Sequence, residues 1–451
     1  MKKTKGTIPI WNLFCSIWIA GCVILILYLL YRYIQYAQNN QNAQNSQTDV
    51  QESPPVRVPS ADDTGASVAI RIQILGDQYL TPMHEKITIS CSAPWKLSFY
   101  SQSEQTLLRT QPKNADECCS FCAEDFPLHS YAVAEAEEGQ PFRLPDLKRA
   151  SQNLQYSGTL FLYPKDNQLL LVNETDLESY LVGVIASEMP SSYPEEAQKA
   201  QAVCARTYAW NAIQSQKNEN TLADLDDSTS FQVYNNQETS PAAVQAAADT
   251  AGEILPVDPL WYYSTACSIR QDSDLDLSDS DQFLSLLKEE SADGAEYHSP
   301  WVRWETAIDK QHILNQLELP IQPHDAAEFE FEITKRTASG QAEELQILHG
   351  EIVDTITGEY EIRSILAPNE HALTLQNDQE ISNMTLLPSA WFAIDDTVSD
   401  LEVLHLIGSG YGHGLGMSQY GAAAMAAEGF QYRDILKHYY GESELIYVQD
   451  Q

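Results

Sequence analysis

The sequence predicts an α+β protein: a membrane-anchored ectodomain whose helical core packs on antiparallel strands, with a smaller β-rich region ahead of it. Three observations carry this. An uncharged, mostly apolar run over residues 8–31 is long enough to cross a bilayer, which takes about 20 residues. Apolar and polar residues alternate over 68–75 and 86–90, and the strand signal returns over 156–172, the pattern of short paired strands. Helical spacing then appears over 177–188 and, with many alanines, over 195–209 and 417–428.

Taken in order, residues 1–7 form a short cytoplasmic tail holding Lys2, Lys3 and Lys5, and residues 8–31 the transmembrane helix, with the lysines inside. A cleaved signal peptide is the competing reading. The apolar run exceeds the usual core of about 7 to 15 residues, and no small-x-small site precedes the polar region. Residues 32–66, rich in Gln, Asn and Ser and then in Pro54, Pro55 and Pro59, read as a flexible linker. The body is therefore expected outside the membrane. Its net charge of −38 and isoelectric point near 4.4 argue against a nucleic-acid partner, which takes clustered Lys and Arg.

Residues 67–154 are expected as the small β-rich region. Cys118, Cys119 and Cys122, with Cys91 and His129 available, resemble half a zinc site, but a second ligand pair with proper spacing is missing. A local disulfide or free thiols is the plainer expectation, and no metal or other cofactor is assigned. Residues 156–172 then read as a hairpin turning at Lys165, Asp166 and Asn167.

The chain is organised around residues 180–208. Leu177, Leu181, Val184 and Ile185 recur on one helical stripe, and Glu188 falls on the same stripe, where an acid is costly unless something uses it. Met189 and Pro190 end that helix, which leaves Glu188 at a helix end beside a turn. Ser192 and Glu195 stand in capping-box spacing, with Pro194 expected in the first turn of a second helix. Ala197, Ala200, Ala202, Ala205 and Ala209 line that helix on all sides and predict tight enclosure, and Arg206 lies among them. A buried arginine wants a carboxylate or an anionic ligand, which Glu188 or a substrate group would supply; a purely structural Glu188–Arg206 pair is the alternative.

Further on come Phe231-Gln232-Val233-Tyr234, an alanine helix over 242–251 stopped by Gly252, and a strand-like run at 261–269. Residues 272–296 form an acidic, serine-rich insertion expected as a solvated loop. Asp272, Asp274 and Asp276 imitate a calcium loop, yet Leu277 and Phe283 occupy positions that need glycine and glutamate. Trp301 and Trp304 flank Arg303 in a manner suited to sugar stacking, although Trp is most often core. Over 309–391 a helix at 312–319 and strands at 329–334, 344–348 and 360–366 are expected. Glycines alternate from Gly408 to Gly416 with no complete dinucleotide or phosphate-loop pattern, so they serve a sharp turn or close approach. Helices at 417–428 and 432–440 follow.

Two long runs resemble the stage II sporulation protein D and amidase-enhancer family. The first is YLVGVIASEMP with EAQKAQAVCARTYA, at residues 180–190 and 196–209; the second is GSGYGHGLGMSQYGAAAMAAEG, followed by YRDILKHYY, at 408–429 and 432–440. The resemblance covers 155–447 in outline and implies that this stretch is the catalytic region. It implies that Glu188 is the catalytic acid of a peptidoglycan lytic transglycosylase, and that Gln232, Tyr234, His413, Ser418, Gln419 and Tyr420 line the same cleft. Arg206 and Trp304 complete the expected substrate contacts. Tyr263, Ser268 and Ile269 depart from the family's HSTxxGG, which puts a cleft metal and the usual loop shape in doubt.

A lytic transglycosylase needs one carboxyl where ordinary glycosidases need two. The resemblance implies glycan strands stripped of peptides as substrate, sporulation engulfment as setting, and stage II sporulation proteins P and M as companions at the cell membrane. A noncatalytic amidase-enhancer or wall-binding module is the alternative from another class, and a vegetative wall-remodelling paralogue a third reading.

Overall fold

The structure is a computed structural model of the chain. It describes residues 68–448 apart from 77–78, 80, 150–153, 217–220, 229–230, 235–239, 258–261, 264–279, 289–298, 318–325, 338, 370, 398–400 and 443. The chain falls into two units, Met1–Pro54 and Pro55–Gln451. All of the first lies outside the described residues, as do the expected span at 8–31, the linker at 32–66, and Cys267, Ser268 and Ile269. No helix among the described residues is long and apolar enough to cross a membrane. What is described mixes helices and sheets, as an α+β chain should.

Seven strands form the main sheet, in the order Leu225–Asp226, Ala69–Ile74, Gln168–Asp176, Thr159–Lys165, Ser130–Ala136, Trp95–Ser101 and Leu107–Lys113. Neighbours run antiparallel except the first pair. The hairpin at 159–176 turns at Asp166 and Asn167, whose φ of 50° and 60° is the left-handed pair that matches strand twist in a two-residue turn. A boundary at 154/155 would cut this sheet in two. Ala132 pairs with Leu162 and Ile72 with Asn173, so residues on both sides of that line share one core.

Alternation sorts the strands' side chains onto two faces. Ile70, Ile72, Ile74, Leu97, Phe99, Leu160, Leu162 and Leu171 face the helices, while Tyr131, Val133, Phe161, Tyr163 and Val172 pack on the opposite side. Against the first face lies the glutamate helix, Leu177–Glu188, capped by Asp176, which accepts from the Ser179 amide at 3.0 Å. The long helix, Glu195–Gln216, comes next. Its start differs from expectation: Pro194 immediately precedes it and accepts from the Ala197 and Gln198 amides, and Ser192 sits in the turn before.

The long helix is the centre of the molecule. Its Ala202, Ala205 and Ala209 pack toward the sheet and the helix Pro241–Asp249. Its Ala197, Ala200, Val203 and Cys204 pack on the other side against Met417, Ala422, Ile435 and Leu436. The last two helices, Gln419–Ala427 and Tyr432–Tyr440, supply three of these. Small side chains let neighbours close in from both sides, which is why alanine dominates a helix with little amphipathic contrast.

A second core is built on five strands in the order Glu380–Ile381, Leu373–Leu375, Trp304–Asp309, Val403–Gly408 and Phe392–Ile394, with a three-stranded sheet, Glu330–Arg336, Ala342–His349 and Glu351–Thr357, beside it. Two expectations are corrected here. Residues 360–366 are not a strand: Glu359–Ile365 is helical, burying Ile362 and Leu366 one turn apart and joining Arg363 to Glu359 at 2.9 Å. Nor is the acidic insertion all solvated loop, since Ser280–Lys288 is a helix with Phe283 and Leu287 buried against Trp391 and Ala393. The acidic residues at 272–276 lie outside the described residues.

Cys91, Cys118, Cys119, Cys122 and Cys204 are free thiols. Cys119 donates to Glu117 and Cys122 to Asp125, and no group of three or more His, Cys, Asp or Glu among the described residues is placed to hold a metal.

Candidate active site

Glu188 ends its helix because Met189 leaves helical geometry, at φ −130° and ψ 127°, ahead of Pro190. The carboxyl meets two groups. Its Oε1 accepts the Val233 amide at 2.8 Å, and the Gln419 side chain also bonds it. Burial raises the Glu188 pKa above the ordinary carboxyl value, while the bonds from Val233 and Gln419 pull it partway back. A position at the C-terminal end of a helix, where the dipole is negative, disfavours the carboxylate in the same direction as burial.

The loop that carries Val233 is fixed from beneath. Asp227 accepts from the Leu75 amide at 2.9 Å and from the Arg149 guanidinium at 2.6 Å, in a pair whose side chains are both fully buried. Burial lifts Asp227 to about 6 despite that partner. Its carbonyl receives the Tyr234 amide, next to the Val233 amide that meets Glu188.

Gln232 lies under the carboxyl. It accepts from the Tyr180 hydroxyl at 3.1 Å and donates to the Tyr262 hydroxyl at 3.1 Å and to the Ala205 carbonyl at 3.3 Å. The two tyrosines are held neutral, their pKa values raised first by burial and then by neighbouring charge that includes Glu188. On the other side, Gln419 reaches Gln201 on the long helix, Nε2 to Oε1 at 3.5 Å. Gln201 is fully buried, and its own amide nitrogen has no hydrogen-bond partner among the described residues. Ser418 precedes Gln419 and spends its hydroxyl oxygen on the Gly421 amide as helix cap. Tyr420 stands edge-on to Tyr193, centroids 5.7 Å apart.

His413 supports the site from a distance. Its Nδ1 accepts the Leu415 amide at 3.1 Å, which places the proton of the neutral ring on Nε2, and the ring bonds the Tyr262 backbone. Burial lowers its pKa, so the ring stays uncharged.

Three expected contacts sit elsewhere. Arg206 is wholly buried and grips Glu178, not Glu188; its remaining donors go to Thr250 and to the carbonyls of Ala247 and Glu253. A guanidinium with its donors so committed has none for substrate. Tyr234 is a core residue, packed on Tyr180 at 4.9 Å and donating to Asn173 at 3.2 Å. Trp304 is buried in the second core with its indole nitrogen on the Gly410 carbonyl at 3.1 Å. Gly408 exists for that ring: a Cβ there would lie 2.1 Å from it.

Sequence reasoning missed the Val233 amide, Tyr262 and Gln201. A backbone group leaves no trace in residue identity. Gln201 did leave one, as a polar side chain between Ala200 and Ala202 on the enclosed helix.

Residues 165–256, which hold Glu188, the long helix and Gln232, match the family model described as SpoIID, stage II sporulation protein. Through this segment the chain is similar to the SpoIID family. Residues 244–416 match a second model, a domain of unknown function termed DUF8618, which takes in most of the second core. The chain is 27% identical over 376 residues to an uncharacterized protein of Brachyspira hyodysenteriae, covering 81% of this chain and 91% of that one. It is 28% identical over 300 residues to the stage II sporulation protein D of Bacillus subtilis, covering 61% and 75%. An amidase enhancer of Bacillus subtilis is 29% identical over 294 residues, 58% of this chain and 39% of the longer relative. Gln419 lies beyond both matched segments, and only the fold brings it to the SpoIID glutamate.

Proposed function

We propose that this chain is a lytic transglycosylase that cleaves peptide-free peptidoglycan strands, with Glu188 as its single acid and base. The observation that carries the reading is the setting of the Glu188 carboxyl. It is half-buried at a helix end with a raised pKa, and among the described residues an amide and a carboxamide act on its charge, with no second carboxylate beside it.

In this reading protonated Glu188 donates its proton to the glycosidic oxygen between N-acetylmuramic acid and N-acetylglucosamine as that bond breaks. The carboxylate so formed is held by the Val233 amide and Gln419. It then takes the proton of the muramic acid 6-hydroxyl as that oxygen closes onto its own anomeric carbon, giving a 1,6-anhydro end and restoring the acid. No water and no second carboxylate are consumed. Sporulation engulfment beside stage II proteins P and M, and anchoring by residues 8–31 with the body outside the membrane, are part of the same proposal. A named sporulation relative and the apolar run support them.

The amidase-enhancer relative favours a second reading, a noncatalytic wall-binding module. Mass analysis of peptide-free strands incubated with the full chain and with Glu188→Gln separates the two. The proposal expects 1,6-anhydro ends from wild type alone. Reducing ends would replace it with hydrolysis, and strand binding without cleavage would leave the binding module.

A further inference from the structure

We propose that Trp301 and Tyr411 form a carbohydrate-stacking subsite for a sugar ring of the strand whose bond Glu188 cleaves, an inference that rests on the glycan reading above. Trp304, which sequence made the sugar platform, is sealed in the core. Trp301, three residues earlier, is only half-buried, and its ring meets that of Tyr411 at 4.4 Å between centroids with the planes 43° apart. Tyr411 is 37% exposed at the crest of the glycine-rich loop.

An exposed aromatic pair in a loop is often mobile surface, but this one is anchored from every side. The Gly410 amide donates to the Trp301 carbonyl at 2.8 Å, the Trp304 indole to the Gly410 carbonyl at 3.1 Å, and the Gly412 amide to the Pro388 carbonyl at 2.9 Å. Ser409 donates to the Val302 carbonyl at 2.7 Å, while Ser389 donates to the Ser409 carbonyl at 2.6 Å. A platform fixed in advance loses little entropy when a ligand settles on it. Arg303 ties the same segment down, donating to the carbonyls of Leu287 and Val302 and to the Ser409 hydroxyl. Sugars are the ligands that suit such a surface: an apolar C–H face for the rings, with hydroxyl edges left to water.

A relay of contacts links the platform to the site. Tyr411 is two residues from His413, a span of at most about 7 Å. The His413 ring bonds the Tyr262 backbone, the Tyr262 hydroxyl receives Gln232, and the next residue's amide meets Glu188. In this proposal a strand with its scissile bond at Glu188 continues onto the aromatic pair along this relay of contacts.

The test titrates a peptide-free glycan hexasaccharide into the full chain carrying Glu188→Gln, which prevents turnover, with and without Tyr411→Ala. Stacking of an aromatic ring is worth about 0.5–1.5 kcal/mol, so Kd should rise about two- to twelvefold in Tyr411→Ala and stay near the parent value in Tyr411→Phe, which keeps the ring. In the Glu188 enzyme, KM should rise similarly with kcat held, the mark of binding made equally in ground and transition states. Equal Kd for parent and Tyr411→Ala would overturn the subsite and leave the glycan reading intact. Absence of binding by the parent would overturn the glycan reading, and the subsite with it.

Discussion

Arg206 and Glu178 form a two-armed ion pair, Nε to Oε1 at 2.8 Å and Nη2 to Oε2 at 2.7 Å, that ties the middle of the long helix to the start of the glutamate helix. The same guanidinium reaches Thr250 and the carbonyls of Ala247 and Glu253, so one side chain joins both helices to the end of the helix Pro241–Asp249. It orders the scaffold under the site and touches no part of the Glu188 carboxyl.

Arg206→Met should therefore lower folding stability by about 1–3 kcal/mol, the cost of leaving the buried acceptors it held at Thr250, Ala247 and Glu253 without their donor. Urea denaturation measures it. Glu178→Gln should cost more, about 3–5 kcal/mol, because it leaves the wholly buried Arg206 guanidinium without a counter-charge. An Arg206→Met protein as stable as wild type that no longer binds strands would restore a substrate role to the arginine.

Glu188→Gln should abolish cleavage by a factor on the order of 10²–10⁴, the usual worth of a positioned acid or base. It should also stabilise the fold at neutral pH. The folded pKa of Glu188 is raised above its unfolded value, so the stability this group contributes is full below the unfolded pKa of about 4.3 and lost as pH rises through the folded one. A glutamine cannot ionise and escapes that loss. Melting temperatures should be higher for Glu188→Gln at pH 7 and close to wild type at pH 3.

Because the first step needs protonated Glu188, cleavage should fall as pH rises through its raised pKa. Gln419→Leu removes one of the two bonds that favour the carboxylate. That variant should move the alkaline limb of the rate profile to higher pH, whatever it does to the maximum. A limb that moves to lower pH, or stays in place, would show that Gln419 does not govern this proton.

Trp304→Ala should destabilise the protein by about 3–5 kcal/mol, as expected of a large ring removed from a core. Gly408→Ala should cost about 1–3 kcal/mol, since its methyl would overlap the same ring. Differential calorimetry reads both, and a neutral Gly408→Ala would mean that the ring has room to move.

Much of this protein was legible in its residues. Alternation marked the strands at 69–74 and 159–176, proline and glycine marked helix ends at 188 and 429, and an acid on an apolar stripe marked Glu188. These are local signals, set by backbone sterics and by the periods of helix and strand. Where local signals conflict the reading failed. Residues 360–366 carry mixed apolar and charged side chains that fit either period, and the packing of Ile362 and Leu366 on the second core selected the helix.

By itself the sequence determined which residues sit on the long helix, that its neighbours come close, and that Glu188 stands at a helix end. Only the tertiary structure decided what those groups face. A buried arginine takes whichever carboxylate the packing delivers, here Glu178 from the other end of the preceding helix. Of two tryptophans three residues apart, strand alternation and the Gly408 gap put Trp304 inside, while the turn at Pro300–Val302 left Trp301 at the surface beside Tyr411. The Val233 amide and Gln419, separated by almost two hundred residues, meet at one carboxyl because a loop and the start of a helix come to the same helix end. Partner choice over such distances depends on how whole layers dock, which no local period encodes.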